Sequence, residues 1–279
     1  MKNQKKIDRY IIFSKRVLYS FLRSFTISKI MGRFSGPKIF ANSIPKSGTN
    51  LLEKVFYQMP VIRYSSYRTL RKHTDSKEKI LKKISSLKKG TYQMGHVDFD
   101  NDVVQQLHLN NFRTILMIRD PRQIIISHYK YVSYIDTNHP TYHFFKNLKD
   151  DNERLLAVIN GVDGVVESIN DVLSSYESWL NDSKILVIKF ENLIGEQGGG
   201  SKYKQHATIE NICKHIDLDL TDNEIKKIAN KIYDKKSPTF RAAKIDSWKE
   251  EFSIEQKAIL KKCIGNWLIK YGYEENLDW

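Results

Sequence analysis

The 279-residue chain is 41% hydrophobic and 11% aromatic, which excludes wholesale disorder and is enough for one large α/β domain or two small ones. Its two cysteines cannot form a disulfide framework, and it contains no run of 18 apolar residues that would span a bilayer. The apolar run at residues 10–13 is too short for the core of a signal peptide. We therefore expect a cytoplasmic protein, either soluble or peripheral to a membrane.

The net charge of +14 is concentrated at the amino end of the chain. Residues 1–38 contain ten Lys or Arg and one Asp, whereas the other 241 residues contain 36 basic and 31 acidic residues. A nucleic-acid-binding protein carries positive charge across the domain that contacts the nucleic acid, so this distribution argues against a nucleic-acid partner. A mildly basic body is what we expect of a domain that binds one small polyanion.

The predicted elements alternate between strand and helix after a break at Ser35-Gly36-Pro37, which divides an amino-terminal segment (residues 1–36) from one domain (residues 37–279). Apolar, β-branched runs predict strands at residues 38–43, 92–97, 114–119 and 185–190. Helices are predicted at about residues 49–59, 162–180, 201–216, 221–233 and 253–271, and Pro121 opens another. Strands separated by helices predict a three-layer α/β fold, with helices on both faces of a central parallel sheet.

The first predicted strand leads into Pro45-Lys46-Ser47-Gly48-Thr49-Asn50, where a helix begins. Such a junction binds anions readily, because free backbone amides and the helix dipole point at the ligand. Lys46 adds a mobile cation, Ser47 and Thr49 add hydroxyls, and Gly48 allows close approach of the backbone. The chain contains no Gly-Lys dipeptide, which excludes a Walker A loop. Ordinary helix capping is the alternative interpretation of this loop.

Two segments, in this order, resemble the phosphate-binding motifs of sulfotransferases that use 3′-phosphoadenosine 5′-phosphosulfate (PAPS). Pro45-Lys46-Ser47-Gly48-Thr49 is similar to the family's 5′-phosphosulfate loop. Arg119-Asp120-Pro121-Arg122, with Ser127 eight residues after Arg119, is similar to its 3′-phosphate motif. The resemblance extends over about residues 38–273 and implies the P-loop-like sulfotransferase fold. It also implies that residues 46–50 bind the 5′-phosphosulfate and that Arg119 and Ser127 bind the 3′-phosphate, whereas we expect Arg122 to pair with an acid or lie at the surface.

Two further segments match the family in part. Arg241 and Trp248 keep the spacing of its carboxy-terminal cofactor loop, but Ala242 and Ala243 replace the usual Lys and Gly. Phe190 stands where a tyrosine often contacts adenine. The resemblance therefore implies that Arg241 and Phe190 contact the cofactor, with an apolar slot for the base. We expect Trp248 to pack in the core.

The family takes the acceptor's proton with a histidine that lies about twenty residues before the Arg-Asp-Pro motif. His96, which follows Gly95 and lies 23 residues before Arg119, fits that position. An imidazole suits a general base because its pKa is near neutrality. Lys46 and the amides around Gly48 suit the stabilisation of charge on the transferred group. A structural histidine is the alternative interpretation of His96.

These motifs predict a PAPS-dependent sulfotransferase that releases adenosine 3′,5′-bisphosphate. We expect no metal, because His139 and His143 have no acidic or cysteine partner that completes a ligand set. The acceptor is expected to be a hydroxyl of a small molecule, glycan or lipid, bound by residues 61–87 and 131–160 with His128 lining the same pocket. A nucleotide kinase is the competing enzyme class. A basic protein that binds anionic surfaces and keeps a vestigial nucleotide loop is the competing non-enzyme class.

The amino-terminal segment carries an apolar stripe at near-helical spacing, formed by Ile7, Ile11, Leu18, Leu22 and Phe25. Basic residues flank this stripe, which is typical of an amphipathic helix at an anionic membrane surface. We therefore expect peripheral association with the inner membrane face and a membrane-linked or lipid-like acceptor. The alternatives are that the stripe packs on its own domain or on the second subunit of a homodimer, or that the segment is disordered.

Overall fold

The computed structural model describes residues 27–64, 68–233 and 245–279. Its strands are β1 Lys38–Ser43, β2 Arg63–Tyr64, β3 Leu70–Arg71, β4 Thr91–His96, β5 Phe112–Ile118 and β6 Ile185–Lys189. They form one parallel sheet in the order β2-β4-β1-β5-β6, and β3 also pairs with β4. The apolar stripe predicted within residues 7–25 and the predicted cofactor residue Arg241 lie outside the described ranges.

Helices of very different lengths connect and cover these strands. The α-helices are α1 Ile27–Ser35, α2 Thr49–Gln58, α3 Lys77–Ser85, α4 Asn101–Leu109, α5 Pro121–Lys130, α6 Tyr142–Asn147, α7 Asp151–Asn160, α8 Ile169–Ser174, α9 Glu177–Leu180, α10 Phe190–Leu193, α11 Lys202–His215, α12 Asp222–Ile232, α13 Trp248–Glu251 and α14 Ile254–Lys270. A π-helical turn, Tyr131–Ile135, follows α5, and a 3₁₀ turn, Glu196–Gly198, follows α10.

β1 lies inside the sheet, between β4 and β5, because its side chains are apolar on both faces. Ile39 and Ala41 belong to a core shared with α2, α11 and α12, and both are fully buried. Phe40, which points to the opposite face, belongs to a core shared with α4, α5 and α14. Helices therefore cover both faces of the parallel sheet, which confirms the predicted three-layer α/β fold.

Hydroxyl side chains fix the starts of the three long carboxy-terminal helices. Ser201 caps α11 by accepting from the Lys204 amide. Thr221 and Ser253 form capping boxes at the starts of α12 and α14. A cap of this kind contributes about 1 kcal/mol, because it satisfies amides that have no partner within the helix. The structure thus confirms these three helices, each with ends within one residue of the prediction.

The predicted helix at residues 162–180 is wrong over its first seven residues. Val162 and Val166 instead form an isolated antiparallel bridge, and α8 begins at Ile169. Gly161 and Gly164 explain the difference, because both have positive φ (77° and 66°) and so turn the chain sharply. The apolar spacing resembled a helix, but the glycines favour a turn.

α1 joins the domain at the amino end of the sheet. A Cβ at Gly32 would collide with the Val61 carbonyl, so the helix lies close against the chain there. The Gly90 amide, just before β4, donates to the Gly36 carbonyl at 3.1 Å. The opposite side of α1 is apolar and open to solvent, with Phe34 76% exposed. In the described part of the chain, no helix has the length and apolar character that a membrane span requires.

Candidate active site

The carboxyl ends of β1, β4 and β5 meet at one edge of the sheet, because parallel strands all point the same way. Ser43, the last residue of β1, lies opposite Met117 of β5. The preceding residue of β1 lies opposite Gly95, next to the end of β4. This edge therefore gathers the loop after β1, His96 at the end of β4 and Arg119 just after β5. Residues that are more than 70 positions apart in sequence become neighbours.

The loop between β1 and α2, residues 44–48, has the geometry of an anion site. Lys46 and Gly48 both have positive φ, 71° and 99°, and turn the backbone ahead of the helix. Gly48 is the N-cap of α2, and it has no side chain that could cap the helix amides. Ser47 is fully buried, and its hydroxyl has no hydrogen-bond partner among the described residues. A phosphate or sulfate group would satisfy both the uncapped helix end and the buried hydroxyl, so these residues fit the predicted 5′-phosphosulfate.

Phe190 and Arg119 pack directly against this loop. A Cβ at Gly48 would lie 2.5 Å from Cδ2 of Phe190, which explains the glycine at this position. The Arg119 guanidinium stacks over the Phe190 ring, with 4.2 Å between Cζ and the ring centroid. Its Nη1 donates to the Lys46 carbonyl at 3.3 Å. The two predicted phosphate motifs therefore lie next to each other, with Phe190 packed between them.

Arg122 is buried and structural. Its Nε donates to Oδ1 of Asp120 at 2.9 Å and its Nη2 donates to Oδ2 at 2.8 Å, while Nη1 donates to Glu274 at 2.5 Å. The guanidinium carbon lies 3.6 Å from the Trp248 ring centroid and 4.4 Å from that of Trp279. The expected pairing of Arg122 with an acid is therefore present, and Trp248 packs in the core as predicted. These contacts fix the start of α5.

Glu191, which was not predicted as a site residue, also hydrogen-bonds to the turn at the start of α5. Its Oε1 accepts from the Asp120 amide at 3.0 Å, and its Oε2 accepts from the Tyr273 hydroxyl at 3.4 Å. Burial raises the pKa of the Glu191 carboxyl. The sequence feature that could have identified Glu191 is its position directly after Phe190, in a segment that resembles the sulfotransferase family.

A hydrogen bond to β1 fixes the orientation and the tautomer of the His96 ring. Its Nδ1 lies 2.8 Å from the Ser43 carbonyl oxygen, which can only accept, so Nδ1 carries the proton and donates it. Nε2 therefore has the lone pair, and it lies 3.4 Å from Oγ1 of Thr49. Burial, together with the charges of Arg71 and Lys46, lowers the pKa of His96 to about 4. The imidazole is therefore neutral at pH 7.

A buried amide holds the strand end that carries His96. The Asn42 side chain donates to the Val97 carbonyl at 2.7 Å and accepts from the Val97 amide at 3.0 Å. Nε1 of Trp179 donates to the same carbonyl at 3.1 Å. Two side chains from other elements thus fix the backbone immediately after His96, and this clamp was not predicted.

The segment from the end of α5 to α6, which includes the π-helical turn, brings aromatic and imidazole groups next to the anion loop. Nζ of Lys46 lies 3.5 Å from the Tyr131 ring centroid. The His128 ring makes edge-to-face contacts with His139 and Phe145, each at 6.1 Å between centroids. Burial and the Lys46 charge lower the pKa of His128 to about 3. Part of the segment predicted to bind the acceptor therefore lies beside Lys46.

The other predicted cofactor residues in the described ranges, Ser127 and Asn50, lie on the helices α5 and α2. Ser127 lies on α5, partly buried, and its hydroxyl makes no hydrogen bond with any described residue. Asn50 is the second residue of α2, at the uncapped end. The structure brings residues 46–50, His96, Arg119 and Phe190 to one edge of the sheet, and it places Ser127 on the helix that follows Arg119.

Comparison with known proteins supports the resemblance. The sulfotransferase domain family matches residues 36–272. Mouse sulfotransferase SULT7A1 complexed with PAP has a similar structure, with a TM-score of 0.61 and 19% identity over 86% of this chain and 88% of that one. Retinol dehydratase is similar in complex with retinol and PAP (TM-score 0.55, 12% identity, 85% and 82% coverage) and with androsterone and PAP (0.56, 13%, 90% and 85%). The search of curated proteins finds no match.

At these identities the solved structures establish a shared fold, whereas the family match extends over most of the chain. The family match agrees with the resemblance of the two phosphate motifs, and it decides between the competing enzyme classes. The chain therefore belongs to the sulfotransferase domain family.

Proposed function

We propose that this enzyme transfers the sulfuryl group of PAPS to a hydroxyl of a small-molecule, glycan or lipid acceptor. The observation that carries the proposal is that an uncapped anion loop, an arginine and a neutral histidine meet at one sheet edge. In the reaction, an S–O bond forms to the acceptor oxygen, and the bond from sulfur to the 5′-phosphate oxygen breaks. Its electron pair leaves with adenosine 3′,5′-bisphosphate. Such transfers depend on positioning and charge neutralisation.

The donor-side residues would bind the nucleotide by its two charged ends. The amides at the start of α2 and the buried Ser47 hydroxyl would hold the 5′-phosphosulfate. Lys46 would neutralise charge that develops on the bridging oxygen. Arg119 and Ser127 would bind the 3′-phosphate through charge-assisted and hydroxyl hydrogen bonds. Phe190, whose ring is buried beneath the Arg119 guanidinium at the same edge, would contribute to the apolar lining of the slot for the base.

His96 would take the acceptor's proton at Nε2, the nitrogen that the hydrogen bond to the Ser43 carbonyl leaves unprotonated. A pKa of about 4 keeps the free imidazole in its basic form at pH 7, but it makes the group a weak base. The negative charge of the bound donor would raise this pKa, because a nearby anion favours the imidazolium. The base is thus strengthened in the complex that needs it.

We propose that residues 61–87 and 131–160 bind the acceptor. The position of Tyr131 and His128 beside Lys46 supports this assignment. Two similar structures hold retinol or androsterone, which supports a small-molecule acceptor. Neutral imidazoles and aromatic rings next to a lysine provide stacking faces and hydrogen-bonding groups for a ring that carries hydroxyls.

The reaction is tested with sulfur-labelled PAPS and a panel of hydroxyl compounds that includes phenols, steroids, sugars and glycolipids. We expect transfer of the label to at least one class, and stabilisation of the protein against heat by adenosine 3′,5′-bisphosphate but not by ATP. Equal stabilisation by ATP, or none by either nucleotide, would contradict the proposed donor.

The base is tested with His96→Ala, and His206→Ala on α11, outside the proposed acceptor segments, is its control. We expect His96→Ala to lower turnover by roughly 10²- to 10⁴-fold with little change in nucleotide affinity. Lys46→Ala should lower both, because the lysine contacts the bound nucleotide as well as the developing charge. Unchanged turnover in His96→Ala would leave His96 structural.

We also propose that the enzyme is a cytoplasmic protein bound peripherally to the inner membrane face through its amino-terminal segment. Met31 and Phe34 on α1 are 60% and 76% exposed, which gives an apolar surface. The ten basic residues among residues 1–38 would add roughly 1 kcal/mol each near anionic lipid. Apolar burial and charge together suit an interfacial site.

Flotation of the full-length protein with anionic and neutral vesicles tests this site. We expect flotation with anionic vesicles that decreases in Met31→Glu and Phe34→Glu. Leu109→Glu on α4, a position that is 72% exposed, should have no effect and is the matched control. No flotation, together with a dimer that either α1 variant dissociates, would instead assign the α1 surface to a second subunit.

A further inference from the structure

Arg71 ends the short strand β3 directly beside the proposed base. The parallel register of β3 and β4 pairs Arg71 with His96 and Leu70 with Gly95. Leu70 is buried in the core on one face of the sheet, so the alternation of side chains puts Arg71 and His96 together on the other face. Because neighbouring strands lie about 4.8 Å apart, the two side chains begin one strand spacing from each other.

The basic side chains near Arg71 in sequence already have carboxylate partners. Arg68 and Lys79 pair with Asp75 at 3.7 and 2.6 Å. Lys72 pairs with two other carboxylates, both at 2.6 Å. Asp75 also accepts from the backbone amide of Arg71, at 3.0 Å. The Arg71 guanidinium itself is exposed and forms no ion pair with any carboxylate in the described ranges.

The positive charge of Arg71 acts on two imidazoles at this edge of the sheet, those of His96 and His139. Besides burial, it lowers the pKa of His96 and of His139, as does the charge of Lys46. The Arg71 charge therefore acts on both rings, and neither neutral ring offsets it. Asp136, the carboxylate whose charge raises the pKa of His139, already accepts a hydrogen bond from the Tyr131 hydroxyl at 2.6 Å.

We propose that Arg71 binds an anionic group of the acceptor, so that the natural acceptor is a hydroxyl compound that also carries a carboxylate, phosphate or sulfate. The proposal rests on the proposed function, because the acceptor's hydroxyl lies at His96 while its anionic group lies at Arg71. A guanidinium offers two parallel hydrogen bonds to such a group and fixes its orientation as well as its charge. The same contact would turn the hydroxyl toward Nε2 of His96.

Matched acceptor pairs test the proposal with the full-length protein saturated with adenosine 3′,5′-bisphosphate. One pair is 4-hydroxybenzoate and its methyl ester, and the other is N-acetylglucosamine 6-phosphate and N-acetylglucosamine. Calorimetry measures the affinity of each compound for the wild type, Arg71→Ala and Arg71→Lys. Arg113→Ala is the control, because Arg113 is an exposed arginine at the opposite end of the sheet that already pairs with Asp217.

We expect at least one acid to bind the wild type about 10- to 100-fold more tightly than its neutral partner. Arg71→Ala should abolish this preference without changing the affinity for the neutral partner or for adenosine 3′,5′-bisphosphate. Arg71→Lys should retain part of the preference, and Arg113→Ala should retain all of it. Labelled PAPS should show the same preference in kcat/KM.

The proposal would be overturned by the absence of an acid preference in the wild type or by a preference that survives in Arg71→Ala. It would also be overturned if Arg71→Ala lost as much affinity for adenosine 3′,5′-bisphosphate as for the acids. Inorganic phosphate is the competitor that separates a free-anion site from an acceptor site. Displacement of the acids by phosphate of equal affinity would also overturn it. Acid binding that depends on Arg71, but without any transfer from PAPS, would leave the Arg71 site in place and remove the proposed function.

Discussion

Replacing Gly48 by alanine tests how the anion loop is packed. The new Cβ would lie 2.5 and 3.0 Å from Cδ2 and Cε2 of Phe190, and 3.1 Å from Cε of Met117. Contacts this short force neighbouring side chains to move. Phe190 is 6% exposed, so its ring has little room to do so. The backbone adds a second cost, since φ at Gly48 is 99°.

The two costs can be separated within this chain. Positive φ in a residue with a side chain costs roughly 1–2 kcal/mol, and overpacking costs roughly 1–3 kcal/mol. Gly48→Ala should therefore lower the free energy of unfolding by about 2–5 kcal/mol. Gly164→Ala is the matched control, because Gly164 also has positive φ (66°) but nothing within 4 Å of its new Cβ. Gly164→Ala should therefore lower the free energy of unfolding only by the roughly 1–2 kcal/mol that positive φ costs.

Displacement of Phe190 would also disturb Arg119, which stacks on its ring. We therefore expect Gly48→Ala, but not Gly164→Ala, to weaken binding of adenosine 3′,5′-bisphosphate. Urea denaturation measures the stability and calorimetry measures the affinity. Phe190→Leu removes ring atoms at the collision, so the double variant should lose less stability than the sum of its single variants. Equal costs for the two glycine replacements would refute the steric argument.

Three other predictions follow from the site. Arg119→Ala should weaken PAPS binding by roughly 1.5–3 kcal/mol, and Ser127→Ala should weaken it less. Neither should much affect adenosine 5′-phosphosulfate, which lacks the 3′-phosphate, and calorimetry with both nucleotides checks this. Arg122→Leu should lower the free energy of unfolding by about 3–5 kcal/mol, because it leaves Asp120 buried without its cation, and urea denaturation should show partial recovery with Asp120→Asn added. Stability should fall between about pH 6.5 and pH 4, because His96 and His128 take up protons in the unfolded chain but not in the folded one. His96→Gln should reduce the slope of Tm against pH in that range, because it removes one of the two groups.

Local sequence signals predicted the elements that local chemistry determines. The apolar run of β1, the proline at the start of α5 and the hydroxyl caps Ser201, Thr221 and Ser253 gave positions close to those in the structure. Residues 162–168 were mispredicted because apolar spacing alone cannot distinguish a helix from a turn with two positive-φ glycines.

The phosphate motifs identified the residues that converge at the sheet edge, but not what holds them there. Glu191 binds the Asp120 amide across 71 positions of sequence, and Asn42 binds Val97 across 55. Such contacts depend on which strands become neighbours, which spacing within one segment does not encode. Arg71 has no local signal either, because its position beside the base arises only when β3 pairs with β4.

The attachment of α1 determines which way the enzyme would face on a bilayer. α1 meets the domain at the amino end of β1, whereas His96 and the anion loop lie near its carboxyl end. The six residues of β1 separate these two edges by roughly 20 Å. Membrane bound at Phe34 would leave the reaction centre turned toward the aqueous phase. Anchoring would then concentrate and orient the enzyme above the surface, where it would meet dissolved acceptors, or lipid headgroups long enough to extend around the domain.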